Sequence, residues 1–318
     1  MNSTRSSPST AASRHAGDAY LVLAMITVGS TVVVSRIIAA GLPPFTAAAL
    51  RFALALPVFL ALLRWRGVRV RMPDRHDAGL LALQALCGSV GYAVLLMAGL
   101  RTASAADAGV IAGSLPAVVA LVGVLLLRQR IGPGQWAAIA LACLGVAAVE
   151  VGASPTAAGP APSLTGGLLV LAAVGCEALF LLLNKRLHVA VAPLAQSTLM
   201  CALGLAFTTA PALFEQAWRR PVDAAALVGV LYYALIPTVG GYLLWYAGAE
   251  RVDAGRAALY TAVLPLSALA LAALVLGETV GVRQLVGAAC VLAAIVAGAA
   301  GGRRRAGGEA AKVAVPEG

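Results

Sequence analysis

The residues of this chain best able to do chemistry are ionisable side chains set inside long apolar runs. Glu177 lies in VGCEALFLLLNK, about 18 Å of helix from the start of its run, and Arg51 lies in AALRFALAL, about two turns inside another. A carboxylate in hydrocarbon is costly unless a proton or a cation neutralises it. Glu177 is therefore expected to be either a proton-coupling carboxylate or an anchor for a substrate ammonium group, with Arg51 or another donor nearby. The alternative for both is a structural ion or hydrogen-bond pair that locks helices together.

Two prolines form a second set. Pro116 in SLPAVVALVGVLLLRQR and Pro265 in VLPLSALALAALVLGET each interrupt an apolar run, and each run ends at a polar stop. Proline removes a backbone N–H and frees a carbonyl, which is tolerated in lipid only where the backbone is buried in protein or lines a cavity. A packing kink is the alternative, and Gly109 and Gly113, in GxxxG spacing just before Pro116, suit either reading.

A third set is aromatic: Tyr242, Trp245 and Tyr246 in GGYLLWYAGAE, and Tyr260 one turn before Pro265. Beside a cavity these rings accept an apolar side chain or a cation; at the membrane surface they form an interfacial belt. Gln84, Tyr92, Ser30, Thr31 and Thr238 are weaker polar candidates.

What is missing narrows the chemistry. No GxxxxGK[ST] phosphate loop is present, which argues against ATP as the direct energy source. His15, His76 and His188 fall outside the apolar runs with no HExxH spacing, no Ser/His/Asp set is apparent, and neither a metal site nor a cofactor is expected. Cys87, Cys143, Cys176, Cys201 and Cys290 sit inside apolar runs without CxxC spacing and read as small buried hydrophobes.

The elements that must position these residues are membrane helices. Of the 318 residues 61% are hydrophobic and 11% charged, with a mean hydropathy of +0.91, far from the mix of a soluble domain. The net charge of +10 does not point to nucleic acid, because the arginines fall in short clusters between apolar runs with no aromatic-interleaved stripe.

A bilayer core needs about 20 apolar residues per helix. On that basis ten spans are expected, near 19–38, 45–63, 78–100, 104–127, 134–151, 165–186, 192–214, 224–247, 255–276 and 282–300. Residues 1–18 form a cytoplasmic N-terminal tail, and the first run is expected to be a retained span because it continues to Arg36. A Pro/Gly/Ala-rich linker, 152–164, separates two five-span halves, 19–151 and 165–300, and a basic cytoplasmic tail occupies 301–318. With the N-terminus inside, 17 of the 23 lysines and arginines fall on the inner side, so both termini are expected in the cytoplasm.

Adding 149 to a position in the first half repeatedly finds its likeness in the second: Arg36 and Lys185, Pro44 and Pro193, Leu115-Pro116 and Leu264-Pro265, Gly132 and Gly281, Gln135 and Gln284. Five spans is an odd number, so the second half must enter the membrane from the opposite side. The expected fold is an all-α integral membrane protein of ten transmembrane helices in two inverted five-helix repeats, an architecture that exposes a central site alternately to each face.

These stretches resemble the drug/metabolite transporter superfamily of the EamA-domain type. The resemblance runs from about Ala19 to Gly301 and rests on VGSTVVVSRIIAAGLPPFTAAALRFALAL, ASAADAGVIAGSLPAVVALVGVLLL and LPLSALALAALVLGETVGVRQLVGAACVLAA. It implies ten helices and small-molecule transport, commonly efflux of amino acids or other metabolites. The family pattern commonly ends the fourth and ninth spans with an acidic residue. Glu278 matches, whereas the first half has Gln129 between Arg128 and Arg130, so a carboxylate role there would be one-sided.

The leading expectation is a secondary transporter of a bacterial inner membrane that exports small metabolites such as amino acids by alternating access, with protons as candidate coupling ion. Its partners are a small-molecule substrate and the lipid bilayer, not nucleic acid. The rival is an integral-membrane enzyme acting on a lipid-linked substrate, which would need acidic, histidine or metal-ligating groups gathered at one interface.

Overall fold

A computed structural model describes residues 11–69, 73–128, 131–150, 164–189, 191–219, 221, 223–252 and 259–313. Among these residues the regular structure is helical and no strand occurs, as the need to satisfy backbone polar groups internally in lipid requires. The first half contains α1 (Ala11–Gly41), α2 (Pro44–Arg66), α3 (Arg75–Gln84), α4 (Tyr92–Gly99), α5 (Ala105–Gly113), α6 (Leu115–Leu127) and α7 (Pro133–Glu150). The second contains α8 (Leu164–Asn184), α9 (Pro193–Phe214), α10 (Ala224–Tyr233), α11 (Gly241–Ala249), α12 (Val263–Leu276) and α13 (Val282–Val313). Helices α3 and α4 are continuous through a π-helical segment, Ala85–Gly91, and α10 and α11 through another, Ala234–Gly240.

The local devices that start and stop these helices recur at the same 149-residue offset. Asp74 caps α3 by accepting from Asp77 N at 2.7 Å, and Asp223 caps α10 by accepting from Ala225 N at 2.9 Å. Gln135 Oε1 accepts from Gly132 N at 3.3 Å, and Gln284 Oε1 from Gly281 N at 3.0 Å. The C-caps of α6 and α12 are both left-handed, Arg128 with φ 50° and Gly277 with φ 65°. The π segments are related too, ALCGSVG in one and ALIPTVG in the other.

Among the described residues six helical segments are long and apolar enough to cross a membrane, or seven if α5 and α6, bent by 52°, form one span. Three further apolar segments lie among the described residues, Pro133–Val149, Val263–Leu276 and Val282–Gly298, so the expected ten spans are reached by these residues only in part. Leu-Pro pairs stand at two of the helix starts. Pro116 stands at the first turn of α6, just after a break at Ser114, and Pro265 stands in the first turn of α12. At a helix start the missing N–H removes no intrahelical bond, so each proline begins a helix instead of kinking one.

Contacts between links sort them into two ends. At one end Glu215 accepts from the backbone N–H groups of Phe45 and Thr46, Arg101 reaches the carbonyl of Leu42, Glu278 accepts from the N–H groups of Ala105 and Ala106, and Arg283 donates to the carbonyl of Val149. At the other, Gly17 packs on Arg251, and Asp77 accepts from the N–H groups of His188 and Val189. The α1–α2 link thus lies at the first end, and its counterpart 149 residues on, the α8–α9 link, at the second.

Small residues let the helices meet closely. A Cβ on Gly145 would lie 2.8 Å from the carbonyl oxygen of Gly287, and one on Gly287 would lie 2.8 Å from that of Gly145, so α7 and α13 touch backbone to backbone. Large apolar side chains such as Leu125, Leu144, Leu168 and Leu274 stay exposed, which suits a surface facing lipid.

Candidate functional site

A cavity of about 360 Å³ opens between the halves. From the first half its wall takes Arg51, Phe52 and Phe59 of α2, Ser89 of the π segment and Tyr92 of α4; from the second it takes Glu177 and Phe180 of α8, Gln196 of α9, Tyr233 of α10, Thr238 of the other π segment and Tyr246 of α11. Positions 149 residues apart line it in pairs: Arg51 with Met200, Phe52 with Cys201, and Ser89 with Thr238. The cavity therefore straddles the line about which the two halves correspond.

Arg51 is buried, and its guanidinium lies 4.4 Å from the Phe52 ring centroid and 4.6 Å from that of Tyr233. Its Nη2 donates to the carbonyl of Ser89 at 3.3 Å, whereas Nε, also buried, has no partner. Ser89 belongs to the π-helical segment Ala85–Gly91. In the other π segment Pro237 lacks an N–H, and the Thr238 hydroxyl donates to the carbonyl of Tyr233 at 2.9 Å.

Glu177 is partly buried in the opposite wall. Among the described residues no cation forms an ion pair with it. One cavity thus holds a guanidinium and a carboxylate that are not spent on each other, between aromatic rings. This arrangement can receive a molecule carrying both charges.

Polar amides extend the wall toward the end of α8. Gln196 Nε2 donates to Asn184 Oδ1 at 2.6 Å and to Gln84 Oε1 at 3.2 Å, which puts buried Gln84 one side chain behind the cavity with its own Nε2 unpartnered.

Five of the residues singled out from sequence therefore meet in this cavity: Arg51, Glu177, Tyr92, Thr238 and Tyr246. Tyr242 stands behind the wall, its ring 5.5 Å from Phe59 and 4.6 Å from Tyr246. Trp245, on the same helix, does not line it. Pro116 lines a different cavity of about 280 Å³ with Thr261, the residue after Tyr260. Pro265 is buried against α5, where a Cβ on Gly113 would come within 2.8 Å of it. Sequence reasoning passed over Phe52, Phe59, Phe180, Gln196 and Tyr233; the repeated AL..[ST]VG of the π segments would have pointed to the helices that carry the wall.

Other expectations resolve more simply. Arg36 reaches the carbonyls of Leu100 and Ala103 beyond the C-terminus of α4, where a cation opposes the helix dipole. Glu278 caps α5 from the other half, and buried Asp107 accepts from Gln284 Nε2 at 2.7 Å. Gln129 and Arg130 lie outside the described residues. His76 and His188, unrelated in sequence, are brought together with Asp74 and Asp77 because the start of α3 and the α8–α9 link meet.

The EamA-like transporter family model matches twice, over residues 15–150 and 164–297. An uncharacterized transporter of Bacillus subtilis (strain 168), YetK, is 33% identical over 277 residues, covering 86% of this chain and 84% of that protein. A probable amino-acid metabolite efflux pump of Salmonella typhimurium is 28% identical over 291 residues, 87% of this chain and 93% of the other. A probable terminal-alkyne amino-acid exporter of Streptantibioticus cattleyicolor is 27% identical over 228 residues, 71% of this chain and 74% of the other. A crystal structure superposes with a TM-score of 0.57 at 18% identity, covering 86% of this chain and 97% of that one, which speaks for the fold alone.

Proposed function

This chain belongs to the EamA-like transporter family, and from that premise we propose that it exports small zwitterionic metabolites of the amino-acid class by alternating access. The observation that carries the reading is the cavity between the halves, where Arg51 and Glu177 face one space without pairing. Arg51 takes the substrate carboxylate, for which a guanidinium offers a planar fork of donors. Glu177 takes the ammonium group, and the rings of Phe52, Tyr92, Tyr233 and Tyr246 surround the remainder. The two relatives named for amino-acid or amino-acid metabolite efflux support the substrate class.

The architecture we propose is ten membrane helices in two inverted repeats, 19–151 and 165–300, joined by 152–164, in a bacterial inner membrane with both termini in the cytoplasm. Support comes from the 149-residue recurrence of caps, π segments and left-handed C-caps, and from the α1–α2 and α8–α9 links lying at opposite ends. A cavity on the axis between inverted halves is the place that rocking exposes alternately. Ten crossings then require α5 with α6 to act as one broken span, and α7, α12 and α13 each to belong to a crossing.

When no substrate occupies the cavity, a proton on Glu177 removes its charge from the apolar wall. Exchange of that proton for a substrate ammonium couples export to the proton gradient. The test is efflux of preloaded amino acids from proteoliposomes with and without an acidic exterior. Wild type is expected to respond to the gradient and a folded Glu177→Gln variant to lose the response; an unchanged gradient response in that variant overturns the coupling.

A further inference from the structure

Outside the cavity, the described residues gather one group of side chains with metal-ligating chemistry. One ligand atom from each of Asp74, His76, Asp77 and His188 lies within 4.8 Å of the others. His76 Nδ1 is 3.1 Å from Asp77 Oδ1, and His188 Nδ1 is 3.6 Å from Asp74 Oδ2 and 3.7 Å from Asp77 Oδ1. Two ligands about 2.1 Å from an ion at a tetrahedral angle stand about 3.4 Å apart, and the three separations fall on either side of that value. The imidazole rings stack with centroids 4.1 Å apart and planes 13° from parallel, so one ring must turn before both in-plane Nδ1 lone pairs can meet on one ion.

The carboxylates are already held from behind. Asp74 Oδ1 accepts from Asp77 N at 2.7 Å, which leaves Oδ2 facing His188, and Asp77 accepts from His188 N at 3.1 Å and Val189 N at 3.3 Å. Such outer hydrogen bonds orient ligands before an ion arrives. Asp74, His76 and His188 are exposed, so an ion can enter from solvent, while Asp77 forms the buried floor.

We propose that Asp74, His76, Asp77 and His188 bind a divalent transition-metal ion of the zinc class, which staples the start of α3 to the link between α8 and α9. Two imidazoles select such an ion over magnesium or calcium, which prefer all-oxygen shells. Four protein donors close a tetrahedral site and leave no open position for water, the mark of a structural site rather than a hydrolytic one. The staple joins the two halves near Asn184 and Gln196, which edge the cavity. It does not depend on the identity of the transported molecule.

The test is calorimetric titration of the full chain in detergent, free of any histidine tag, with Zn²⁺ and separately with Mg²⁺, alongside thermal unfolding in each ion. One Zn²⁺ per chain and a Zn²⁺-dependent rise in Tm are expected, with little response to Mg²⁺. Losing an outer-shell partner typically weakens a metal site by about 10–100-fold, so His76→Ala and His188→Ala, which remove ligands, are expected to weaken Zn²⁺ by about 100-fold or more. His15→Ala should change nothing. Should the alanine variants fail to fold, Asp74→Asn, which keeps a good helix cap, is expected to lower Zn²⁺ affinity by about tenfold or more. Absence of Zn²⁺ binding in wild type, an equal response to Mg²⁺, or wild-type affinity in the folded variants overturns the site.

Discussion

Arg51 is the buried cation of the proposed site. It is buried, stacked on two rings, and bonded through one nitrogen to a carbonyl, leaving Nε unpartnered. A hydrogen bond to a charged group is worth about 1.5–3 kcal/mol, and about 1.4 kcal/mol is a tenfold change in affinity. Arg51→Gln is therefore expected to weaken binding of a zwitterionic substrate about 10–100-fold, read by tryptophan quenching or equilibrium dialysis. An equal loss for an analogue lacking the carboxylate would instead indicate collapse of the cavity. Arg51 and Glu177 were legible in the sequence because a charge inside an apolar run is conspicuous. Their aromatic surroundings were not, since Phe52, Phe59 and Tyr233 read as ordinary apolar helix residues until the helices pack. Pro116 lines a second cavity and Pro265 packs against α5, away from the cavity that Arg51 and Glu177 share.

At the scale of elements, repeated local chemistry explains where helices begin and end. Arg128 and Gly277 occupy the same C-cap, with amide bonds to Gly123 and Ala272, yet a residue with a Cβ pays roughly 1–2 kcal/mol for the left-handed conformation. Arg128→Gly is expected to stabilise the protein by up to about 1 kcal/mol, seen as a small rise in Tm in detergent. In the opposite direction, Glu215→Ala removes the acceptor for two backbone N–H groups at the start of α2 and is expected to cost about 1–2 kcal/mol. Its substrate affinity should stay unchanged, because Glu215 does not line the cavity. The 149-residue offset was visible in sequence, whereas the π segments were not: a π turn differs from an α turn by one residue and leaves hydrophobic periodicity almost intact. Hydropathy likewise does not show the 52° bend between α5 and α6, because apolar residues run on both sides of it.

For the whole molecule, the inverted arrangement makes a prediction about sidedness. In a background with the five native cysteines replaced, a cysteine at Leu42 should react with an impermeant maleimide added outside intact cells, and one at His188 only after the membrane is opened. Labelling of both from outside would contradict the inversion. Composition alone placed the chain in a membrane, and the resemblance to a transporter family rested on motifs in both halves. The central cavity was out of reach of sequence, because it is made by side chains from α2, α4, α8, α9, α10 and α11 that meet only once the halves pack. The most direct measurement is counterflow of a panel of labelled amino acids, amines and carboxylic acids in proteoliposomes. Wild type should exchange at least one zwitterion in preference to its amine and acid analogues, with Arg51→Gln and Glu177→Gln each erasing that preference. Exchange of amines or acids as fast as zwitterions, or a preference untouched by both substitutions, would contradict a zwitterion site between Arg51 and Glu177.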